Sequence, residues 1–532
     1  MALLTKIDSN VTGLRIAEEA SLGVLPAEAD QIWIPYEPNS YADFGGEITT
    51  IARNPINPSR QRKKGVVTDL DASGGFNTDL TQSNLQDILQ GFFFASLRTK
   101  SEFISSDVAG GPTNEYEVAT FDATEYLIND LLFAKDFTDL ANNGLKTVDA
   151  NGAGILVGVV ETLVTETPPA DATISKVGFQ FVAGDAKIVA PGSPVFPTLT
   201  TEVAGKDMTE FGLIPGEWVF IGGDVTGASG DQFQTAVNNG FARVRSVTAN
   251  VMTFDKTSAA MVSEGAAGTD LLTIKIFFGR VLKNELGPDI TRRTYQLERI
   301  LGAPVIGSQE QQAEYIIGAV PSELTMNVAS ADKITFDMSF VGIDSEQNAA
   351  TTDDPAGLGP KSQIGSAQAP SIEEADAFNT SSDFSRIKLS QVVPGDAFPS
   401  DTFAFSSELT LTLSNNVEPN KAIGVLGAFE VSAGTFEVGA TLTAYFASVL
   451  AVQAVRNNED ITLDMQIVKQ NQGMTVDLPL VTLGDGRPNV EQDQPITLPL
   501  TSDAATGAKI DSNLDYTLLL VFWDYLPDLA DT

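Results

Sequence analysis

The 532-residue chain contains no cysteine and no histidine. Without cysteine there is no disulfide, no thiolate-bound zinc and no thiol nucleophile. Without histidine the commonest general base and metal ligand is missing. Serine triads, cysteine proteases and zincins in their usual forms are therefore excluded. Only carboxylate, lysine or tyrosine chemistry is left for an enzyme, and no local signature of it is visible. Basic residues are also scarce, 32 Lys and Arg against 70 Asp and Glu, for a formal charge of -38. A body of that charge repels phosphate and anionic membrane alike, so it suits a surface that sits beside DNA without sticking to it. Solubility or a saline habitat is the bland alternative. Long apolar runs are absent too. No stretch of about 18 apolar residues occurs, and the opening MALLTKIDSN lacks a secretion leader, so we expect no membrane span and synthesis in a cytoplasm.

The length is too great for one ordinary core, and the 42% hydrophobic content allows two to four domains or a domain carrying insertions. Period-two patterning dominates. Leu324, Met326 and Val328, then Ile334, Phe336, Met338 and Phe340, alternate with polar residues on either side of a turn at Ala329 to Lys333, which predicts a hairpin. Phe403, Phe405, Leu409, Leu411 and Leu413 repeat the pattern. So do Phe436, Val438, Ala440 and Leu442, and then Ile461, Leu463, Met465 and Ile467. Tyr516 to Trp523 is nearly continuously apolar, as a strand covered on both faces should be. One helix stands out: Leu85, Ile88, Leu89, Phe92 and Phe93 follow helical spacing, with Ser83 or Asn84 as the cap. Weaker helical stretches are expected at Leu127 to Leu140 and Pro419 to Leu426.

Within residues 145–275, Val177 to Val182 and Trp218 to Ile221 predict strands. Phe241 to Val247 and Val251 to Phe254 predict a hairpin turning at Ala249-Asn250. No short fixed repeat is obvious, so a solenoid is not expected. Residues 345–385, rich in Ser, Ala, Asp, Gly and Pro, read either as a linker or as an arm that orders against a neighbouring subunit.

The conspicuous positive cluster is RNPINPSRQRKK, containing Arg53, Arg60, Arg62, Lys63 and Lys64. It lacks interleaved aromatics, so it makes a poor nucleic-acid patch. A solvated loop is one reading. The other is a contact for an acidic neighbour that steers head-to-tail association. Gly222, Gly223, Asp224, Gly227 and Gly230 lack the ending of a phosphate loop. Asp69 and Asp71 lack the spacing of a calcium loop, and Asp353, Asp354, Glu373, Glu374 and Asp376 read as solvated charge. Trp33, Trp218 and Trp523 should each anchor a local core.

Several stretches resemble the major tail tube proteins of long-tailed, siphovirus-like bacteriophages. They are SNVTGLRIAEEASLGVLP with Ile32-Trp33, IARNPINPSRQRKKGVVTDLDASGGFNTDL with the following helix, YQLERILG, EYIIGAVPSELTMNVASADKITFDMSFVG, and LTLSNNVEPNKAIGVLGAFEVSAGTFEVGATLTAYF. The resemblance spans about half the chain. It implies a virion structural protein with no catalytic residue and no cofactor or metal. It further implies homohexameric rings stacked head to tail, behind or around a tape measure protein and between tail terminator and distal tail proteins, with viral DNA passing the lumen unbound.

The expected fold is mainly β: a β-sandwich or barrel tail-tube core with a docked α-helix, plus an inserted small β-domain. The expected domains are residues 1–144, the first part of the core with its helix at about 83–95; 145–275, the inserted domain; 276–344, the second part of the core; 345–385, an extended loop or arm; and 386–532, core or a second tube-like domain. Candidate contact segments are the Arg53 to Lys64 loop, the 345–385 arm and the N-terminal residues. Rival readings are another β-rich virion or surface-layer component, and a secreted carboxylate enzyme such as a glycoside hydrolase.

Overall fold

The computed structural model describes residue 9 and residues 12–528, apart from 55, 57, 59, 60, 83, 112, 119–124, 153–155, 191–194, 202–205, 224–230, 266–272, 303–310, 350–358, 373, 374, 402–405 and 447. Arg60, Ser83, Phe403, Phe405, Asp224, Gly227, Gly230, Asp353, Asp354, Glu373 and Glu374 therefore lie outside the described residues. The chain is mainly β and divides into two compact units, each built from separated segments. Unit 1 comprises Met1–Ser96, Glu285–Thr380 and Ser407–Thr443; unit 2 comprises Leu97–Asn284, Ser381–Ser406 and Ala444–Thr532.

The chain opens in unit 1 with strands β1 (Gly13–Glu18), β2 (Ile34–Tyr36), β3 (Pro38–Arg53) and β4 (Lys63–Asp79), then helix α1 (Gln86–Phe93). Twelve strands of unit 2 follow: β5 (Glu102–Ala109), β6 (Glu115–Val118), β7 (Asp130–Lys135), β8 (Gly144–Gly152), β9 (Leu156–Val159), β10 (Thr173–Phe181), β11 (Ala186–Val189), β12 (Thr198–Thr201), β13 (Trp218–Ile221), β14 (Gly240–Val247), β15 (Val251–Thr257) and β16 (Ile274–Phe278). After β17 (Arg280–Lys283) come β18 (Tyr295–Leu301), β19 (Gln312–Ala329), β20 (Thr335–Gly342) and β21 (Asp344–Ala349). β22 (Phe384–Gln391), β23 (Ser406–Ser414), β24 (Glu418–Lys421), β25 (Ala428–Ser432) and β26 (Glu437–Tyr445) lead to helix α2 (Leu450–Asn457). The last strands are β27 (Ile461–Lys469), β28 (Gln472–Asp485), β29 (Thr497–Ala505) and β30 (Leu519–Trp523).

In unit 1 the ladder runs β2-β1-β18-β19-β20-β4-β3, antiparallel throughout. β19 also pairs with β21 along its first half and with β23 along its second. The expected hairpin is β19–β20, and Leu324, Met326, Val328, Phe336, Met338 and Phe340 are all buried. Helix α1 lies against β19 with Ile88, Leu89, Phe92 and Phe93 inward, and the Phe92 ring meets Phe340 edge-on at 5.4 Å. Its N-cap position is Leu85, with no side-chain cap. Asn84 instead accepts from Thr81 N–H and donates to the Asp79 carbonyl, bracing the preceding turn.

Two expected helices are strands. Leu127 to Leu140 contains β7, flanked by Asn129 and Asp136 in the left-handed region, which no α-helix can pass through. Pro419 to Leu426 begins in β24 and then turns at Gly424, φ +93°. Leu131, Leu132 and Ala134 are apolar because β7 is covered on both faces, and such a run lacks the alternation that separates strand from helix. Helix α2 has no counterpart among the sequence-based expectations.

Unit 2 contains a repeat that no short period reveals. Phe137, Asn142, Asn143 and Gly144 recur 96 residues later as Phe233, Asn238, Asn239 and Gly240. Asn143 bonds the Phe137 backbone twice, at 2.9 and 2.8 Å, and Asn239 bonds Phe233 identically. The hairpin β8–β9 has its bulge after Val148, and β14–β15 has one after the matching Val244. Val108 bridges Glu166 as Ile188 bridges Glu264. Thus β5 to β9 and β11 to β15 are two copies of one strand arrangement.

Candidate assembly surfaces

In unit 1, β3 and β4 pair as a long hairpin from Pro38–Thr78 out to Arg53–Lys63. Near the body its strands contribute buried Leu70, Ala72 and Phe76. Farther out, Ile48, Ile51, Val66 and Val67 are all more than half exposed, with Ile51 opposite Val66 in register. These are β-branched residues, so the pattern that stabilises a strand continues where no core exists to cover it. Successive strand residues point to opposite faces, so Val66 and Val67 leave apolar surface uncovered on both sides of the hairpin.

The basic cluster sits at the end of the same hairpin. Arg53 lies directly opposite Lys63, and Arg62 and Lys64 flank them. Like charges directly opposite across a ladder repel. None of the four forms an ion pair with a described residue, whereas most other described cations do. Arg60 belongs to the same stretch of sequence. The structure therefore brings together Arg53, Arg62, Lys63 and Lys64 on one hairpin end, beside exposed apolar residues the sequence did not single out.

A second, shorter hairpin, β24–β25, exposes Ile423, Val425, Leu426 and Phe429. It is fastened to β4 by Lys421, whose Nζ lies 2.6 Å from Asp69 and 2.5 Å from Asp71. The hydrogen bond from Lys421 holds the Asp69 carboxyl below its ordinary value. The two carboxylates in turn raise the Lys421 ammonium. Asp69 and Asp71, weighed above as a cation loop, thus serve as a clasp for Lys421. In sequence the clasp is separated by about 350 residues, and no local pattern could disclose it.

Described parts of the 345–385 segment lie against their own unit. β21 pairs with β19, the Trp33 N–H donates to the Gln368 carbonyl at 2.8 Å, and Ser366 N–H donates to Glu28. Trp33 is fully buried with Ala17, Ala313 and Tyr315. Trp218 and Trp523 share one core with Phe241 and Tyr516 in unit 2.

Beside that core, with Lys256 and Arg386 over the Trp218 ring, lies a set of six charges, four buried and two half-buried. Arg243 forms a bidentate pair with Asp255 at 2.9 and 3.0 Å and also reaches Asp477 at 3.0 Å. Lys256 pairs with Asp464, which also receives Arg386 at 2.7 Å. Tyr516 donates to Asp477 at 2.8 Å. Burial opposes the charge on Asp464, but Lys256 and Arg386 outweigh it and hold the carboxyl below its ordinary value. Three cations face three anions, and every carboxylate is committed to a cation. Such a set fixes how strands pack and leaves no free base or nucleophile.

Two hairpins of a mainly β scaffold thus carry exposed apolar side chains, and the longer one ends in facing cations. The family model described as phage tail tube protein matches residues 9–504, and the chain belongs to that family. No curated protein matches the chain in sequence.

Proposed function

We propose that the chain is the major tail tube protein of a siphovirus-like phage, assembling head to tail into stacked rings of hexameric order that enclose the path of DNA during ejection. The observation that carries this reading is the Arg53–Lys63 facing pair at the end of an exposed apolar hairpin. Two cations held opposite each other need anions from elsewhere, and a second copy of a chain charged at -38 supplies them. Burying the exposed half of Ile48, Ile51, Val66 and Val67 adds the non-directional part, on the order of 1 kcal/mol for each side chain. A lumen bordered by carboxylates would keep DNA mobile, because phosphates find no cations to bind. The role is one of assembly, without catalysis, cofactor or metal. Its partners are further copies of itself, the tape measure protein, tail terminator and distal tail proteins, and its place is the virion tail after synthesis in the host cytoplasm. The N-terminal residues and the 345–385 segment supply further contacts.

The test is charge reversal at Arg60, Arg62, Lys63 and Lys64 to Glu. The subunit is expected to keep its fold by circular dichroism and to stack poorly by electron microscopy. Tube yield equal to that of the unaltered chain would remove this role from the hairpin.

A further inference from the structure

The unit 1 ladder recurs in a second set of strands. β1 pairs with β18, β18 with β19 and β19 with β20; likewise β22 pairs with β27, β27 with β28 and β28 with β29. Details coincide. The register of β18–β19 shifts between Tyr295 and Leu297, and that of β27–β28 shifts between Ile461 and Leu463. Glu19 N–H donates to the Thr294 carbonyl at 2.8 Å, and Val392 N–H donates to Asp460 at 2.8 Å. Leu80 N–H donates to Ile334 at 2.9 Å, and Phe446 N–H donates to Ile496 at 2.9 Å.

The helices match as well. Both α1 and α2 have eight residues, end on a non-glycine residue in the left-handed region (Phe94, Asn458) and pack on the corresponding strand, β19 or β28. Each follows a hairpin-bearing pair, β3–β4 or β23–β26. The second set passes from α2 to β27 across a few residues. The first set spends residues 95–294 there, and Thr291 N–H donates to the Phe94 carbonyl at 2.8 Å where that excursion closes.

We propose that the chain carries the tube strand set twice, and that three chains, rather than six, close each ring through an edge contact between β3 of one copy and Arg487–Glu491 of the next. This rests on the ring reading above. The seam already exists once within the chain. The second half of β19, Glu323–Ala329, pairs with β23, joining a strand of the first set to one of the second. The counterpart of β23 is β3, which among the described residues pairs only with β4 and so keeps a free edge. The counterpart of the β19 half is Asp485–Glu491, whose last five residues, Arg487–Glu491, are exposed, Val490 at 70%. A free edge and an exposed segment standing where a paired one is known are complementary, and pairing them removes the hazard of an open edge. The proposed seam sets Ala42 of one copy opposite Val490 of the next.

The native mass of rings formed by the unaltered chain reads the count directly. Three chains of 56.4 kDa give about 170 kDa, and six give about 340 kDa. The seam is read in the A42C/V490C variant of this cysteine-free chain, oxidised after assembly, since facing residues on antiparallel strands lie within disulfide reach. The expected result is a ring of about 170 kDa and a non-reducing ladder that stops at three chains. Intact rings of six chains would overturn the proposal while leaving the tube reading in place. Three-chain rings without the cross-link would overturn the β3 seam. A chain that forms no ring at all would sink the ring reading itself.

Discussion

Arg243 on β14 donates to Asp477 on β28 at 3.0 and 3.2 Å, with both side chains buried. The two residues are 234 apart in sequence, so the pair ties β14 to β28 within unit 2. Replacing Arg243 with Met would leave Asp255 and Asp477 buried together without their shared cation. A loss of roughly 3–5 kcal/mol is expected, because an unpaired buried charge keeps its desolvation cost and loses its attraction. Chemical denaturation of R243M measures it, and an unchanged midpoint would show that the network adds nothing. The R243M/D255N/D477N variant, which removes the anions too, is expected to recover part of the loss.

The Lys421 clasp sets a pH window for the β24–β25 hairpin. Asp69 has its folded pKa lowered, so its contribution is present above the ordinary carboxylate value of 3.8 and is lost as pH falls through the folded value. Lys421 has its folded pKa raised, so its contribution is present below 10.5 and is lost only as pH rises through the raised value. The clasp is therefore closed across neutral pH and opens in strong acid. NMR signals of residues 422–427 should move on acidification in the unaltered chain. In K421M they should already sit at the acid position at pH 7, and identical titrations of the two proteins would show that Lys421 fastens nothing.

Gly75 on β4 is a packing glycine. A Cβ there would meet the Met338 carbonyl oxygen at 2.4 Å, and a backbone atom of a central ladder cannot yield. Gly75→Ala is expected to destabilise unit 1 by about 1–3 kcal/mol, despite the entropy alanine saves in the unfolded chain. Thermal unfolding checks the sign, and a stabilised variant would contradict it.

The exposed apolar residues of the β3–β4 hairpin should matter to assembly and not to folding. Ile51→Lys with Val66→Asp leaves the core untouched, so the unfolding midpoint is expected to stay within about 0.5 kcal/mol of the unaltered chain. Tube yield is expected to collapse. Full yield would show that the hairpin surface stays in solvent after assembly.

Much of the fold was legible. Period-two runs at Leu324 to Phe340 and Ile461 to Ile467 became buried strands because one face of each sheet is apolar. The α1 stripe was legible for the same reason. β7 was not, since burial on both faces erases the alternation. Neither the 96-residue repeat nor the doubled tube ladder could be read. Both preserve pairing geometry with few shared residues, and only hydrogen-bond registers expose them. The basic cluster was visible as composition. That Arg53 faces Lys63 depends on the β3–β4 register, and the Lys421 clasp depends on tertiary contact alone.

The central claim is self-assembly into a tube, and electron microscopy of the purified full-length chain at high concentration, at low and raised salt, tests it most directly. Hollow tubes or stacked rings are the expected result. Dispersed single subunits at every concentration and salt tested, together with only one or two rings' worth of copies in the native particle, would contradict it.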